Sequence, residues 1–376
     1  MISFFKYVFK NNEWLLFFGV CLLTLAGIVT MNSFVGDSGL YQRQLIWFFL
    51  SIAVFFVASA VDWRFLRQTK IIVSLFGISI LVLFSLFILG NVVKGSKSWF
   101  DLGFFAFQPS DPIKLIVILI LAKYFSRRHI EIANIRHILV SGFYIFSIFL
   151  LVFLQPDFGS AIIIFFIWLG MVLVSGISKK HILAVFLVGI VSFGFLWGFV
   201  FKDYQKNRIR TFVDPLTDIQ GSGYNAYQSM VAVGSGQILG KGIGYGTQSK
   251  LRFLPEYQTD FIFAAFTEEW GFIGALLIFV IFGIVFWRIL NISMRGDTNF
   301  EILFGLGLAI LFFVHGVIHV GMNIGLLPVT GITLPFMSYG GSHLVTEFLG
   351  LGILVGMKRY SRTTHKDLVY NEMVGI

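Results

Sequence analysis

Apolar runs about as long as a membrane-spanning helix recur along the whole chain, and polar residues collect between them. A hydrocarbon core about 30 Å thick requires about 20 mostly apolar residues in helical form. The pattern predicts ten transmembrane helices, at residues 14–34, 42–61, 71–90, 112–126, 137–154, 158–175, 181–201, 268–290, 299–323 and 343–358. We therefore expect an all-α, polytopic membrane protein with a single domain over residues 1–376.

The longest polar stretch runs over residues 202–260, between two predicted spans. Loops of this length usually carry function or lack ordered structure. This one is patterned, with a glycine-dense run at 234–248 and a run of Pro, Glu, Tyr, Gln, Thr and Asp at 255–260. We expect residues 202–260 to form a long extracytoplasmic loop that carries the active site.

Composition supports a membrane protein, since 57% of the residues are hydrophobic and 12% are charged, with a mean hydropathy of +0.86. Soluble domains carry about 25% charged residues. The lone cysteine, Cys21, excludes an internal disulfide framework. The sequence contains no Walker A motif and no G-x-G-x-x-G motif, so nothing in it indicates nucleotide hydrolysis or dinucleotide binding.

The positions of Lys and Arg predict the orientation, because short cytoplasmic loops carry an excess of basic residues. One side of the predicted bundle holds Lys6, Lys10, Arg64, Arg67, Lys70, Lys123, Arg127, Arg128, Arg136, Lys179, Lys180, Arg288, Arg295, Lys358, Arg359, Arg362 and Lys366. The short loops of the other side hold Arg43, Lys94 and Lys97. The first side, with both termini, is predicted to be cytoplasmic, and the net charge of +9 requires no nucleic-acid partner.

Asp260 is the candidate general base. It precedes an apolar run that begins at Phe261, and apolar surroundings disfavour a charged carboxylate and so make it a stronger base. Glu256 lies four residues earlier, where like-charge repulsion is expected to act in the same direction. The alternative is that Asp260 is simply an acid at a helix N-terminus, where the helix dipole favours negative charge.

The loop also holds a set of cations that suits a phosphate or pyrophosphate group. Its members are Lys202, Lys206, Arg208, Arg210, Lys241, Lys250 and Arg252. Each of them is equally suited to lipid headgroups at the membrane interface. The glycine-dense run, which ends at Gln248, is compatible with an anion-binding nest and with a set of tight structural turns.

Polar residues at predicted span ends are further candidates, because ionisable groups near membrane depth are often functional. Asp111 and Lys114 open the fourth span and are spaced to pair, whether for function or as a buried structural pair; Asp157 opens the sixth span. Trp99 is either an interface residue or a substrate contact. His315 and His319 have the i, i+4 spacing of zinc ligands but lack the accompanying glutamate, which favours hydrogen bonding between helices.

Five blocks of sequence resemble the SEDS family of proteins (shape, elongation, division and sporulation). They are Gln108-Pro109-Ser110, residues 155–159, 228–248 and 255–263, and residues 325–342 with the segment Pro335-Phe336-Met337-Ser338-Tyr339-Gly340-Gly341-Ser342. Little N-terminal extension and Asp62-Trp63-Arg64 favour the elongation branch over the division branch. Two residues depart from the family pattern, namely Asp111 where a glutamate is usual and His343 where a small residue is usual.

The resemblance implies a bacterial inner-membrane peptidoglycan glycosyltransferase that polymerises lipid II, with Asp260 as its catalytic aspartate. Direct displacement of the lipid pyrophosphate would invert the anomeric configuration. It implies a class B penicillin-binding protein as transpeptidase partner, along with other elongation-complex membrane proteins. A divalent cation, Mg²⁺ or Mn²⁺, is compatible with the pyrophosphate leaving group, although no metal ligands are predicted. The predicted substrate-binding residues are Glu256, Lys114, Arg208, Arg210, Lys241, Gln248, Trp99, Asp157 and Ser338. The alternatives are a lipid-precursor flippase or transporter, a non-catalytic scaffold, and the division-specific relative.

Overall fold

A computed structural model of the chain describes residues 13–33, 39–93, 96–101, 103, 106–126, 135–176, 178–199, 201, 203–214, 222–251 and 253–374. The helices over these residues are α1 (Trp14–Ser33), α2 (Leu40–Ala60), α3 (Thr69–Leu89), α4 (Ser110–Ser126), α5 (Ile135–Leu154), α6 (Phe158–Val174), α7 (Lys179–Phe199), α8 (Asp203–Val213), α9 (Ser222–Ser235), α10 (Thr247–Lys250), α11 (Ile262–Ser293), α12 (Asn299–Asn323) and α13 (Gly341–Val374). A 3-10 helix at Trp63–Arg67 joins α2 to α3.

Each predicted span falls on one of these helices, namely α1 to α7 and α11 to α13. Seven of them are long and apolar enough to cross a membrane by length and composition: α1, α2, α3, α5, α7, α11 and α12. The apolar helix α6 is shorter, at 17 residues. The protein is therefore a mostly helical, multi-pass membrane protein.

A small antiparallel sheet between α3 and α4 corrects the prediction of an all-α fold. Its strands are β1 (Asn91–Val93), β2 (Ser96–Asp101) and β3 (Ala106–Phe107), in the order β1-β2-β3. Asn91 pairs with Trp99, and Phe100 pairs with Phe107. Strands this short show too few alternations of apolar and polar residues to be recognised by period.

The 202–260 stretch contains α8, α9 and α10, so much of the predicted loop is helical. These helices have 11, 14 and 4 residues. They carry too few apolar residues to produce the membrane-length signal on which the sequence assignment relied. Lys202 and Arg252, two of the predicted loop cations, lie outside the described residues.

Close helix contacts in the bundle depend on small residues, as is usual where helices associate within a membrane. A Cβ atom added to Gly352 of α13 would lie 2.6 Å from the Cβ of Ala58 and 2.8 Å from the carbonyl oxygen of Phe55. A Cβ added to Gly307 of α12 would lie 2.5 Å from Ile118 of α4. These contacts fix α12 and α13, the two helices that flank the irregular segment 324–340.

Candidate functional site

Asp260 lies in the turn immediately before α11 and faces the irregular segment between α12 and α13. A Cβ atom added to Gly331 would lie 3.7 Å from Oδ2 of Asp260. Gly331 is exposed and has a φ of +74°, a region that favours glycine. Phe261 and Ile262, which follow Asp260, are buried. Asp260 is thus a half-buried residue followed by buried apolar residues, and its carboxylate lies next to the exposed backbone turn at Gly331.

Hydrogen bonds from the segment around α12 and α13 fix the backbone that leads to Asp260. Three consecutive carbonyl groups accept them: Gln258 from the Tyr339 amide at 2.8 Å, Thr259 from the Ser338 hydroxyl at 2.7 Å, and Asp260 from the Asn323 side-chain amide at 3.0 Å. Ser338 is buried and also accepts a bond from the Leu334 amide at 2.8 Å. The structure therefore places this predicted substrate-binding serine beneath the site, as a support for its backbone.

Arg208 of α8 reaches the same turn. Its Nη1 atom donates to the Thr330 carbonyl at 3.5 Å, and Thr330 is bonded directly to Gly331. The guanidinium group and the Asp260 carboxylate thus both lie next to the Thr330–Gly331 turn. Arg210 is exposed and donates to Asn207 at 3.4 Å. Two residues along a helix correspond to a rotation of about 200°, so Arg210 projects from a different face of α8.

Glu256 begins the turn that ends at Asp260. Its carbonyl accepts hydrogen bonds from the amides of Thr259 at 3.1 Å and Phe261 at 3.2 Å. Its Oε2 atom accepts from the Thr259 hydroxyl at 3.0 Å, and its side chain is exposed. The φ of Glu256 is +55°, which is uncommon for a residue other than glycine. Glu256 therefore shapes the backbone beside the candidate base.

The glycine-dense run wraps around Glu268, whose side chain is 0% exposed. Its carboxylate accepts from Lys241 Nζ at 2.9 Å, the Gln248 amide at 3.0 Å, the Ser249 amide and hydroxyl at 3.3 Å, and the Thr247 hydroxyl at 3.3 Å. The nest of donors predicted for a substrate anion thus binds a carboxylate of the protein itself. Lys241 and Gln248 lie together here, around Glu268.

Close backbone contacts explain the glycines of this run. α11 is broken at Gly271, which has a φ of 67° and a ψ of −165°. A Cβ added to Gly240 would lie 2.1 Å from the carbonyl oxygen of Glu269. The amides of Lys241 and Gly242 donate to the carbonyls of Glu268 and Glu269, each at 3.0 Å. The run is therefore a set of structural turns packed against the break in α11.

Asp157 joins two of the sequence blocks that carry the family resemblance. Its Oδ1 atom caps α6 by accepting from the Ser160 amide at 3.1 Å, and its Oδ2 atom accepts from Gln108 at 2.8 Å. A Cβ on Gly159 would lie 3.0 Å from the Thr330 carbonyl oxygen. Asp157 therefore fixes the start of α6 against the turn that faces Asp260. Trp99 lies in β2, where it pairs with Asn91 in the small sheet.

Lys114 belongs to a buried ion network at the start of α4. Its Nζ atom lies 3.1 Å from Oδ1 of Asp111, which confirms the predicted pair. The same oxygen lies 3.3 Å from Nδ1 of His343, and Oδ2 accepts from the Ser342 hydroxyl at 3.0 Å. Nε2 of His343 lies 3.0 Å from Glu347. The two departures from the family pattern, Asp111 and His343, are thus in contact.

His315 and His319 of α12 bond to the irregular segment. Nδ1 of His319 lies 2.7 Å from the Ile332 carbonyl oxygen, and Nδ1 of His315 lies 3.4 Å from that of Thr333. A carbonyl oxygen can only accept, so each Nδ1 carries the hydrogen. Both side chains are buried. They fix the segment that begins at Ile332, directly after the turn facing Asp260.

Sequence reasoning missed three residues that shape the site: Gly331, Asn323 and Glu268. Glu268 carried a usable signal, because adjacent acids at the edge of an apolar run are costly unless they have partners. Gly331 lies in the block 325–342 that carries the family resemblance, but nothing in the sequence places it or Asn323 beside Asp260. Each lies more than sixty positions from Asp260, and their contacts depend on the folded arrangement of α11 and α12.

Comparison with known proteins identifies relatives along nearly the whole chain. Residues 7–363 match the FTSW_RODA_SPOVE family model, described as a cell cycle protein. Stage V sporulation protein E of Bacillus subtilis is 35% identical over 352 residues, which cover 93% of this chain and 95% of that protein. Peptidoglycan glycosyltransferase MrdB of Escherichia coli is 33% identical over 350 residues, covering 93% and 94%.

Two solved structures share the fold. One is a chain from a study of how a peptidoglycan synthase complex coordinates polymerization and crosslinking, with a TM-score of 0.80, 28% identity, and coverage of 93% of this chain and 98% of that one. The other is the rod shape determining protein RodA of Thermus thermophilus, with a TM-score of 0.70, 26% identity, and coverage of 93% and 97%.

The Glu268 contacts predict a large loss of stability for Glu268→Gln. The substitution removes the charge that pairs with Lys241. It also replaces one acceptor oxygen by an amide NH₂ group, which is a donor and faces the donors that now surround the carboxylate. Removing one partner of a buried ion pair costs about 3 to 5 kcal/mol, and the partial exposure of Lys241 places the expected loss near the lower end, at about 3 kcal/mol. The measurement is thermal unfolding of the purified protein in detergent. The control is Glu256→Gln, the same change at an exposed carboxylate, and equal midpoints for the two variants would contradict the prediction.

Proposed function

The chain belongs to the FtsW, RodA and SpoVE family of cell cycle proteins, and on that premise we propose that Asp260 is the general base of its glycosyl transfer. The protein is a peptidoglycan glycosyltransferase, as its family and relatives indicate. Family membership favours the enzyme over the transporter and the scaffold. The observation that carries the proposal is the position of the Asp260 carboxylate at the Thr330–Gly331 turn, which the Arg208 guanidinium also contacts.

The proposed reaction joins two lipid-linked sugars of lipid II. The 4-hydroxyl oxygen of the acceptor sugar attacks the anomeric carbon of the donor, and the bond from that carbon to the lipid pyrophosphate breaks. The acceptor proton passes to the Asp260 carboxylate. Pyrophosphate leaves without being protonated, so one carboxylate is sufficient, in contrast to the pair used by most glycoside hydrolases. Direct displacement inverts the configuration at the anomeric carbon.

Arg208 is the cation proposed to hold the pyrophosphate, because its side chain reaches the turn that faces the base. Lys241 and Lys114 stay predicted substrate-binding residues, but their ammonium groups are paired with Glu268 and Asp111. The remaining predictions for substrate contacts are Arg210, Gln248, Trp99, Asp157, Ser338 and Glu256. Of these, Glu256 and Ser338 contact Thr259 and so act next to the base in the proposal.

A divalent cation, Mg²⁺ or Mn²⁺, fits this site as a companion of the substrate. The described residues include no group of three or more His, Cys, Asp or Glu side chains that could hold a metal ion. Mg²⁺ is often held by one or two carboxylates together with substrate phosphates, and it neutralises their charge. The pyrophosphate would then supply most of the ligands, and Asp260, whose carboxylate lies at the Thr330–Gly331 turn that Arg208 also reaches, is the protein carboxylate proposed beside it.

We further propose that all ten predicted spans cross the bacterial inner membrane and that both termini are cytoplasmic. The support is the uneven distribution of Lys and Arg between the two ends of the helices. Asp260 and the 202–260 stretch then lie outside the cytoplasm, in the compartment that contains the growing glycan strand.

The topology predicts where fused reporters are active. An enzyme that works only outside the cytoplasm should be active when it is inserted after Gly221, and a reporter that works only in the cytoplasm should be active at the C-terminus. Reporter activity in cells expressing each fusion is the measurement, and the two reporters exchanged between the two positions are the controls. Reporter activity only in the exchanged positions would show that the orientation is the opposite of the one proposed.

The partner proposed is a class B penicillin-binding protein of the elongation system, bound through its own membrane span and the adjoining residues. One structural relative belongs to a complex that coordinates polymerization and crosslinking, and a new glycan strand must be cross-linked as it emerges. Other elongation-complex membrane proteins are proposed to join this pair. The Asp62-Trp63-Arg64 segment is what favours elongation over the division role of FtsW.

Co-purification with the partner is expected to raise lipid II polymerisation several-fold. The experiment compares the polymerisation rate with the class B penicillin-binding protein of the elongation system and with that of the division system of the same cell, at matched protein levels. Stimulation by the elongation partner alone supports the RodA-like role, and stimulation by the division partner alone supports the FtsW-like role. Unchanged activity with either protein would refute the partnership.

Asp260→Asn tests the base directly. Asparagine keeps the shape of the side chain but cannot accept the proton, so the rate is expected to fall by a factor of about 10² to 10⁴. Expression and lipid II binding should stay near those of the wild type, because this change leaves the backbone bonds of residues 258–260 in place. The measurement is glycan-chain formation from labelled lipid II by equal amounts of folded protein.

Glu256→Gln is the matched control for Asp260→Asn. It also replaces a carboxylate by an amide, at a position four residues before Asp260. The Glu256 side chain is exposed and does not belong to the Thr330–Gly331 turn. We expect a smaller loss of polymerisation than for Asp260→Asn. If Asp260→Asn polymerises lipid II at a rate near that of the wild type, the base assignment is wrong.

A further inference from the structure

The helix that follows Asp260 lacks a cap of its own. α11 begins at Ile262, and its N-cap residue, Phe261, has no side chain that can bond to the first turn. The first backbone N–H groups of a helix have no partner within the helix and need acceptors from elsewhere. At the membrane boundary an unmet donor is costly, so the partner of these groups determines how rigidly the segment is held.

Asn323, the last residue of α12, supplies that cap from another helix. Its side-chain Oδ1 atom accepts a hydrogen bond from the Ala264 amide at 3.1 Å. The other end of the same group, Nδ2, donates to the Asp260 carbonyl at 3.0 Å and to the His319 carbonyl at 2.8 Å. One planar amide therefore holds the backbone on both sides of Phe261.

Asn323 is itself rigidly placed. Its side chain is 0% exposed. A separate hydrogen bond, from the Ser229 hydroxyl of α9 to the Asn323 backbone carbonyl at 2.9 Å, does not involve the side-chain amide. Its bond to His319, one turn earlier in α12, fixes the orientation of the amide. A buried side chain with acceptor and donor both in use has a single favourable orientation, so it transmits its position to the groups it contacts.

We propose that Asn323 is a positioning residue that aims the Asp260 carboxylate at the Thr330–Gly331 turn. This inference rests on the proposed role of Asp260 as the base. The amide fixes the Asp260 carbonyl relative to the start of α11, and this fixes the direction in which the Asp260 side chain leaves the backbone. A misplacement of about 1 Å at a reacting group is enough to lower a rate about 100-fold.

The contacts around Asn323 separate positioning from simple packing. Asn323→Asp keeps the shape and the acceptor for the Ala264 amide. It replaces the Nδ2 donor by an oxygen that faces the carbonyl oxygens of Asp260 and His319. Asn323→Ala removes both bonds without adding charge. Ser229→Ala is the matched control, because it removes a bond to the backbone of the same residue and leaves the amide group intact.

The experiment measures kcat and KM for polymerisation of labelled lipid II by each folded variant, well below its unfolding midpoint, with Asp260→Asn in parallel. For Asn323→Asp and Asn323→Ala we expect kcat to fall about 10-fold to 100-fold with KM changed less than about 3-fold. For Ser229→Ala we expect kcat within about 3-fold of the wild type. A role in packing alone predicts lower midpoints for the two Asn323 variants with normal kcat per folded molecule.

The outcomes distinguish this inference from the proposal on which it rests. If Asp260→Asn is inactive and both Asn323 variants keep a normal kcat, the positioning role is overturned and the base assignment stands. An equal loss of kcat in Ser229→Ala also overturns it, because the effect would not be specific to the amide. If Asp260→Asn polymerises normally, the base assignment fails and the inference fails with it. If Asn323→Asp does not fold, the kcat of Asn323→Ala decides the question.

Discussion

Backbone polar groups removed from water need hydrogen-bond partners, and this requirement organises the site of the protein. Two stretches at the end of the helical bundle are irregular, the turn before α11 and the segment between α12 and α13. Irregular backbone at membrane depth is stable where it is buried in protein or lines a cavity. Here the two stretches satisfy each other, since the carbonyls of residues 258–260 accept from the α12–α13 side. Asp260 is placed by this mutual pairing, and its carboxylate then faces the glycine turn opposite.

Two of the cations predicted to bind substrate are paired with carboxylates of the protein itself, and this bears on which cation serves the proposed substrate site. Lys241 is paired with Glu268, and Lys114 is paired with Asp111 in a network that extends to His343. A buried ion pair that loses one partner leaves a costly unpaired charge, so these ammonium groups are poorly placed to release their carboxylates for a ligand. Arg208 differs, because the contact that brings it to the Thr330–Gly331 turn is to a neutral carbonyl. A guanidinium bound to a carbonyl keeps donors for a phosphate oxygen.

The helices could be predicted because a membrane-length apolar run has its own signal, independent of its neighbours. β1 to β3 and α8 to α10 lack that signal, as they are short or polar, and sequence reasoning missed them. Asp260 could be chosen as a candidate from its apolar flank and the family blocks, and its role stays a prediction. The Asp111–Lys114 pair could be predicted from its i, i+3 spacing. The closeness of Asp260 to Gly331, the cap from Asn323 and the set of donors around Glu268 could not be predicted. Each brings together residues that are well separated in sequence, and such contacts leave no periodic trace.

The proposed reaction asks for few charged groups from the protein. In that proposal the leaving group carries its own negative charge and needs no acid, so the protein supplies a base and a cation at fixed positions. The positions of the base and the cation depend on the folded chain, because α8, α11 and the α12–α13 segment come from distant parts of the sequence. The protein uses its buried polar residues for this purpose. Three of them bond to backbone carbonyls within a few residues of Asp260 or Gly331, namely Asn323, Ser338 and His319. The fourth, Asp157, caps α6 and so holds that helix against the Thr330–Gly331 turn. Because these supports are hydrogen bonds to the backbone, none of them uses the Asp260 carboxylate, the group proposed as the base.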